Sequence, residues 1–219
     1  MLPGAFVYQL KKKGPIKLIA GTLFFWIAGR LASWSIFGFI IAILIGGYFA
    51  AYAIKIINAV ATGGSELPEW PDFTDIWDSI ISPFLFVLAV GGVAFAPAII
   101  YGLFLLPRGA PHVLLPVFTL WGVLYLPMGF LAIAIHNNIA ALDPIFVMVS
   151  IFRVFGRYMV LWLLFVLLAV AEHLVKAFLG FIPFVSTIVT SFLTLYILTI
   201  EMRLLGLIYF TGQKKLRWD

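Results

Sequence analysis

Residues 61–78, ATGGSELPEWPDFTDIWD, hold five of the nine acidic side chains of the protein and are the first place to look for chemistry. Glu66, Glu69, Asp72, Asp75 and Asp78 recur at every third position, with Trp70, Phe73, Ile76 and Trp77 between them. A helix over Asp72–Ser82 would turn this spacing into an acidic stripe opposite an aromatic face. Such a surface suits docking of a partner through Glu66, Pro68, Glu69, Trp70, Asp72, Phe73, Asp75 and Trp77. It also suits a weak divalent-cation site of oxygen ligands. The third reading is an interfacial elbow, its rings among lipid headgroups and its acids in water. Neither the fixed loop glycine nor the bidentate glutamate of an EF-hand is present, so no metal is expected.

A second set lies within apolar runs: Glu172, His173, Lys176, Glu201 and Arg203. Ionisable side chains at membrane depth are costly and point to function. Glu172 and Lys176 stand in the favourable i, i+4 order and neutralise one another on a helix. His173 projects about 100° away from Glu172. A snorkelling pair, a proton or ion relay, or contact with another subunit each fits this group. Glu201 and Arg203 are two apart, so each faces a different neighbour. His112, His136 and His173 form no His-x-x-x-His pair, which disfavours a two-ligand helical metal site. Ligation of a haem or pigment through His136 or His173 alone stays open. Cysteine is absent, as are a Gly-rich phosphate loop, a Gly-x-Ser-x-Gly elbow and a spaced Ser/His/Asp set. No enzyme and no catalytic residue are therefore expected, and no cofactor beyond bound lipid.

What must position these residues is a membrane bundle. A chain of 219 residues that is 64% hydrophobic and only 11% charged, with mean hydropathy +1.15, has too little polar surface for a soluble globule. The fold class expected is all-α: a single polytopic membrane domain, 1–219, with no cleavable signal peptide. Six spans are expected at about 16–31, 37–57, 80–106, 114–135, 158–178 and 181–208, the first a short one with Lys17 and Arg30 at its ends and a re-entrant or strongly tilted course as the alternative. Short interfacial helices are expected at about 66–79 and 144–157. The second is marked by Asp143 as N-cap and Pro144 at the first helical position, with Arg153 and Arg157 facing headgroups.

Pro83, Pro97, Pro116 and Pro127 should free backbone carbonyls inside the spans, while Gly46-Gly47 and Gly91-Gly92 should allow close helix approach. The segments Phe37–Leu106 and Leu114–Phe178 share an order of elements that suggests a weak internal repeat. With the N-terminus inside, eleven Lys and Arg fall on the inner side, and Arg30, Arg108 and Lys176 on the outer. That asymmetry predicts cytoplasmic termini. Trp26, Trp34, Trp70, Trp77, Trp162 and Trp218 lie near span ends, as in an aromatic belt. The net charge of +5 sits beside apolar spans, where it meets anionic lipid rather than nucleic acid.

Gly46-Gly47-Tyr48, followed by Gly64–Trp70 with its Leu67-Pro68-Glu69-Trp70 core and then Asp72–Asp75, resembles the signature of the DUF4013 family. Glu201–Tyr209, Leu216–Trp218, Leu126-Pro127-Met128 and Ala141–Pro144 are similar to other parts of its members. The chain departs from the pattern at Pro71, where the family often carries an acid. The resemblance implies a prokaryotic multi-spanning protein of the cytoplasmic membrane and names no substrate. The leading expectation is a non-enzymatic accessory or scaffold subunit packed against other membrane proteins and lipid. The alternative is a transporter or lipid-handling protein, and an integral lipid enzyme is the least favoured reading.

Overall fold

Long apolar runs leave the backbone no partner but itself, and the chain answers with helices end to end. The computed structural model describes residues 9, 12–34, 38–72, 74–179 and 183–218, among which there is no strand. Helix α1 is Gly14–Trp34 and α2 is Gly38–Ala61. Helix α3, Ser82–Ile100, runs between two π-helical turns, Trp77–Ile81 and Tyr101–Leu105, and a short 3-10 turn, Leu106–Arg108. Helix α4 is Leu114–His136, α5 Pro144–Arg153, α6 Phe155–Leu179 and α7 Pro183–Leu216.

Five stretches are long and apolar enough to cross a membrane: Gly38–Ala61, Trp77–Arg108, Leu114–His136, Phe155–Leu179 and Ser186–Leu216. Helix α1 has 21 residues, about 31 Å at 1.5 Å per residue. Lys17 and Arg30 dilute its hydropathy, and it is not among the five.

The stop signals work through backbone geometry. Helix α2 ends in a Schellman cap: Gly63 takes φ 88°, its N–H donates to Val60 O at 2.9 Å, and that of Gly64 to Ala59 O at 2.7 Å. Asn137, at φ 50°, ends α4 by donating to Ile133 O at 2.8 Å. Asp143 caps α5 as expected, its Oδ1 accepting from Ile145 N–H at 2.9 Å.

Two element expectations need correction. Among the described residues no separate helix occupies 66–79: 62–72 and 74–75 are non-helical, and helix begins only at Ile76. Pro68 and Pro71 lack the N–H a helix needs, so the three-residue acid spacing never becomes a helical stripe. The second segment is helical, but α5 ends at Arg153 and Arg157 belongs to α6. The last helix runs to Leu216, well past the expected 208, because polar residues such as Thr211 and Gln213 lower hydropathy without breaking a helix.

One end of the bundle gathers the start of α1, the end of α2, residues 62–72, α5 and the end of α7. Lys17 Nζ reaches Leu67 O at 2.8 Å, Lys55 Nζ reaches Trp70 O at 3.3 Å, and Gln213 Nε2 reaches Ala61 O at 3.5 Å. Arg153 Nη1 donates to Leu216 O, and Arg157 Nη1 to Thr211 O at 3.0 Å. These cations satisfy backbone carbonyls at helix ends as well as facing outward.

The glycines behave unevenly. A side chain at Gly47 would strike the Ile80 carbonyl, which lies in the first π turn, and one at Gly206 would meet Val60 and the Ile57 carbonyl. Those are close approaches of α2 to the π turn that precedes α3 and of α7 to α2. Gly91 and Gly92 have nothing within 4 Å of a built side chain, so they do not serve close approach.

Candidate functional site

The acidic loop folds back on its own chain. The Trp70 ring stacks on Tyr52 at 3.8 Å and 19°, lies parallel to Tyr48 at 5.9 Å and 8°, and touches Phe25 at 5.9 Å. Leu67 is buried beside it, and Tyr48 Oη donates to Pro71 O at 3.0 Å. Glu69 pairs with Lys17 at 2.9 Å and Glu66 with Lys12 at 2.5 Å. The Lys17 hydrogen bond, with the charge behind it, holds the Glu69 carboxyl below the usual carboxylate range. Asp75 Oδ1 accepts from the N–H groups of Trp77 at 2.9 Å and Asp78 at 3.3 Å, which caps the π turn.

Of the residues expected to dock a partner, Trp70 therefore serves the fold. Glu66 and Glu69 are tied to α1 and its start, and Pro68 is half-buried. Asp72 and Asp75 are exposed, and Trp77 is 58% exposed. Phe73 lies outside the described residues.

A polar cleft of about 490 Å³ opens at this end, lined by Lys55, Asn58, Asp72, Asp78, Ser79 and Asn137 among others. Sequence reasoning included Asp72 and missed Lys55, Asn58 and Asn137, which converge only once α2 and α4 are packed together. The described residues hold no group of three or more His, Asp or Glu placed to bind a metal.

The tryptophans are not uniformly a belt. Trp218 is buried, donates through Nε1 to Ser150 Oγ at 2.9 Å, and packs on His136 at 5.4 Å and Phe146 at 5.5 Å. His136 thus sits among rings. The side chain of Trp34 lies outside the described residues.

At membrane depth the second set divides. Lys176 Nζ lies 2.5 Å from Glu172 Oε1, as the spacing predicts, and Thr194 Oγ1 of α7 donates to the same oxygen at 2.5 Å. His173 is exposed beside them. Glu201 stands apart, two helical turns along α7 from Thr194, where it lines a cavity of about 390 Å³. The walls are otherwise apolar and come from the middle of α2, α3, α4 and α6 as well as α7; they include Phe49, Leu126, Phe130, Phe165 and Leu198. Arg203 is not among the lining residues, as the roughly 200° between positions two apart requires.

Three sequence features make this space. Gly46 and Gly91 line it and contribute no side chain to it. Pro127, also in the wall, sits inside α4 and has no N–H to offer the Val123 carbonyl. That carbonyl accepts from Trp162 Nε1 of α6 at 3.4 Å, and the neighbouring Leu124 carbonyl accepts from Tyr158 Oη. The break in α4 is thus sealed by α6, and the wall stays apolar except for the one carboxylate. Among the described residues the Glu201 carboxylate has no hydrogen bond or ion pair.

Comparison with family models, with curated proteins and with solved structures finds no match for the chain.

Proposed function

We infer that this is a non-enzymatic membrane protein that binds and handles an amphiphilic molecule, a lipid or a lipid-like solute, within its bundle. The observation that carries the reading is the partly open cavity at the middle of the spans, apolar but for Glu201. Its volume falls at the lower end of the range usual for small-molecule sites, about 300–1,000 Å³. Apolar walls at this depth do not favour a water-filled ion path, which would need polar lining throughout.

In this reading α1 is the sixth span and α5 lies in the interface. Both termini are on the cytoplasmic side of a prokaryotic inner membrane, in keeping with the basic residues gathered at one end. Membership of the DUF4013 family belongs to the same reading. A second reading, an accessory subunit of a larger complex, is favoured by α6, where only 11% of the most apolar window is buried against 56% for α4.

Native mass spectrometry after extraction in mild detergent tests the first reading. A small amphiphile should accompany the wild-type chain and be lost from Gly91→Leu, which fills the cavity from α3. An amphiphile retained by that variant, or none in the wild type, refutes it.

A further inference from the structure

We propose that the occupant of the mid-bundle cavity is an organic cation, with its charged head against Glu201 and its apolar body against the rings of Phe49, Phe130 and Phe165. The inference rests on the amphiphile-binding reading and adds the chemical class of the ligand.

Charge complementarity points to the class. A carboxylate surrounded by apolar walls at mid-bilayer depth is expensive to keep ionised unless a cation pairs with it. Among the described residues none forms an ion pair with it: Lys176 is engaged with Glu172 at 2.5 Å, and Arg203 is outside the cavity lining. A cation that keeps this carboxylate ionised must therefore come from outside the described residues.

An inorganic cation fits poorly. Calcium takes six to eight oxygen ligands and magnesium needs near-ideal octahedral oxygen geometry, whereas this cavity presents one carboxylate among hydrocarbon and rings. A dehydrated metal ion would find too few ligands there, and a hydrated one would face apolar walls. An alkylated ammonium or phosphonium ion carries its own apolar shell and loses little by leaving water. Phenyl faces attract such cations as well. The volume of about 390 Å³ suits a body of many heavy atoms, since one water occupies about 30 Å³ of liquid. The adjoining glycines leave that room without any rearrangement of the helices.

The test uses tetraphenylphosphonium and tetraphenylborate, ions of similar shape and opposite charge, with the full chain in lipid nanodiscs and equilibrium binding measured by isothermal titration calorimetry. Wild type should bind the phosphonium at least tenfold more tightly than the borate. Glu201→Gln should lose tenfold or more of the phosphonium affinity, and Gly91→Leu should abolish its binding while eluting as the folded protein. If Glu201→Gln does not fold, the wild-type preference and the Gly91→Leu loss decide the matter. Equal binding of both ions, both lost in Gly91→Leu, would leave the amphiphile site standing and overturn the cation assignment. Binding of neither ion would overturn the cation assignment, and phosphonium binding that survives Gly91→Leu would overturn the assignment together with the site beneath it.

Discussion

Trp70 and Trp77 are seven residues apart in one loop-and-turn segment, and replacing each with alanine should give opposite results. The Trp70 ring is sandwiched in a cluster with Tyr52, Tyr48 and Phe25, with its closest stacking at 3.8 Å, and its edge fills the space a side chain at Gly21 would take. Trp-to-Ala changes in well-packed sites cost about 3–5 kcal/mol, and each stacked pair adds about 0.5–1.5 kcal/mol beyond area burial. Because Trp70 stays partly exposed, the lower edge applies, about 3 kcal/mol. Trp77 is 58% exposed, and its removal should cost within about 0.5 kcal/mol. For a chain of this size, about 3 kcal/mol corresponds to a fall in Tm of roughly 6–12 °C.

Thermal unfolding in mild detergent, followed by far-UV circular dichroism, separates the two variants. A double-mutant cycle of Trp70→Ala with Tyr52→Ala should show coupling of about 0.5–1.5 kcal/mol. Equal Tm values for Trp70→Ala and wild type would refute the packing argument. So would equal losses for the two variants, or additivity in the cycle.

Two more outcomes follow from the same contacts. Gly47→Ala should lower Tm by an amount equivalent to about 1–3 kcal/mol, because its methyl would strike the fixed Ile80 carbonyl. Gly92→Ala, in open space, should be neutral or stabilise α3 by up to about 1 kcal/mol; a matching loss at both positions contradicts this. For Glu69, the folded-state carboxyl lies below its ordinary range through the Lys17 hydrogen bond. The stability this pair contributes is complete above the unfolded carboxyl pKa and disappears as pH falls through the lowered folded value. Tm measured against pH should therefore fall on acidification through that window, and Glu69→Gln should flatten the fall; parallel curves rule the linkage out.

Much of the architecture was legible because it depends on one-dimensional quantities. Hydropathy located the five strongest spans to within a few residues at most ends, and the Asp143-Pro144 pair marked the start of α5. Glu172 with Lys176 follows from helical spacing alone. What failed needed a neighbour. The acid repeat in 66–78 is periodic in sequence, but prolines at 68 and 71 deny it a helix. Trp70 looks like any interfacial tryptophan until Tyr48 and Tyr52, one turn apart on α2, present their rings to it. Trp218 likewise gives no sign in sequence that Ser150, 68 residues earlier, will take its N–H.

Glu201 shows how the same residue types change meaning with packing. Paired glycines in a span usually signal close helix contact, and Gly47 obeys, yet Gly46 and Gly91 border a cavity. Pro127 usually signals a kink whose freed carbonyl needs a partner; Trp162 of α6 supplies one, and the repair brings that helix alongside the opening. Each feature taken singly is a common membrane-packing device. Together they leave a space of about 390 Å³ at the depth where α7 places its one unpaired acid. Had the carboxylate served structure alone, a cationic or hydrogen-bonding partner on a facing helix would be the expected arrangement, as Lys176 and Thr194 provide for Glu172 only two turns away. The contrast between those two glutamates, one satisfied within the chain and the other lining an apolar cavity, is the reason to look for the second one's partner in a ligand.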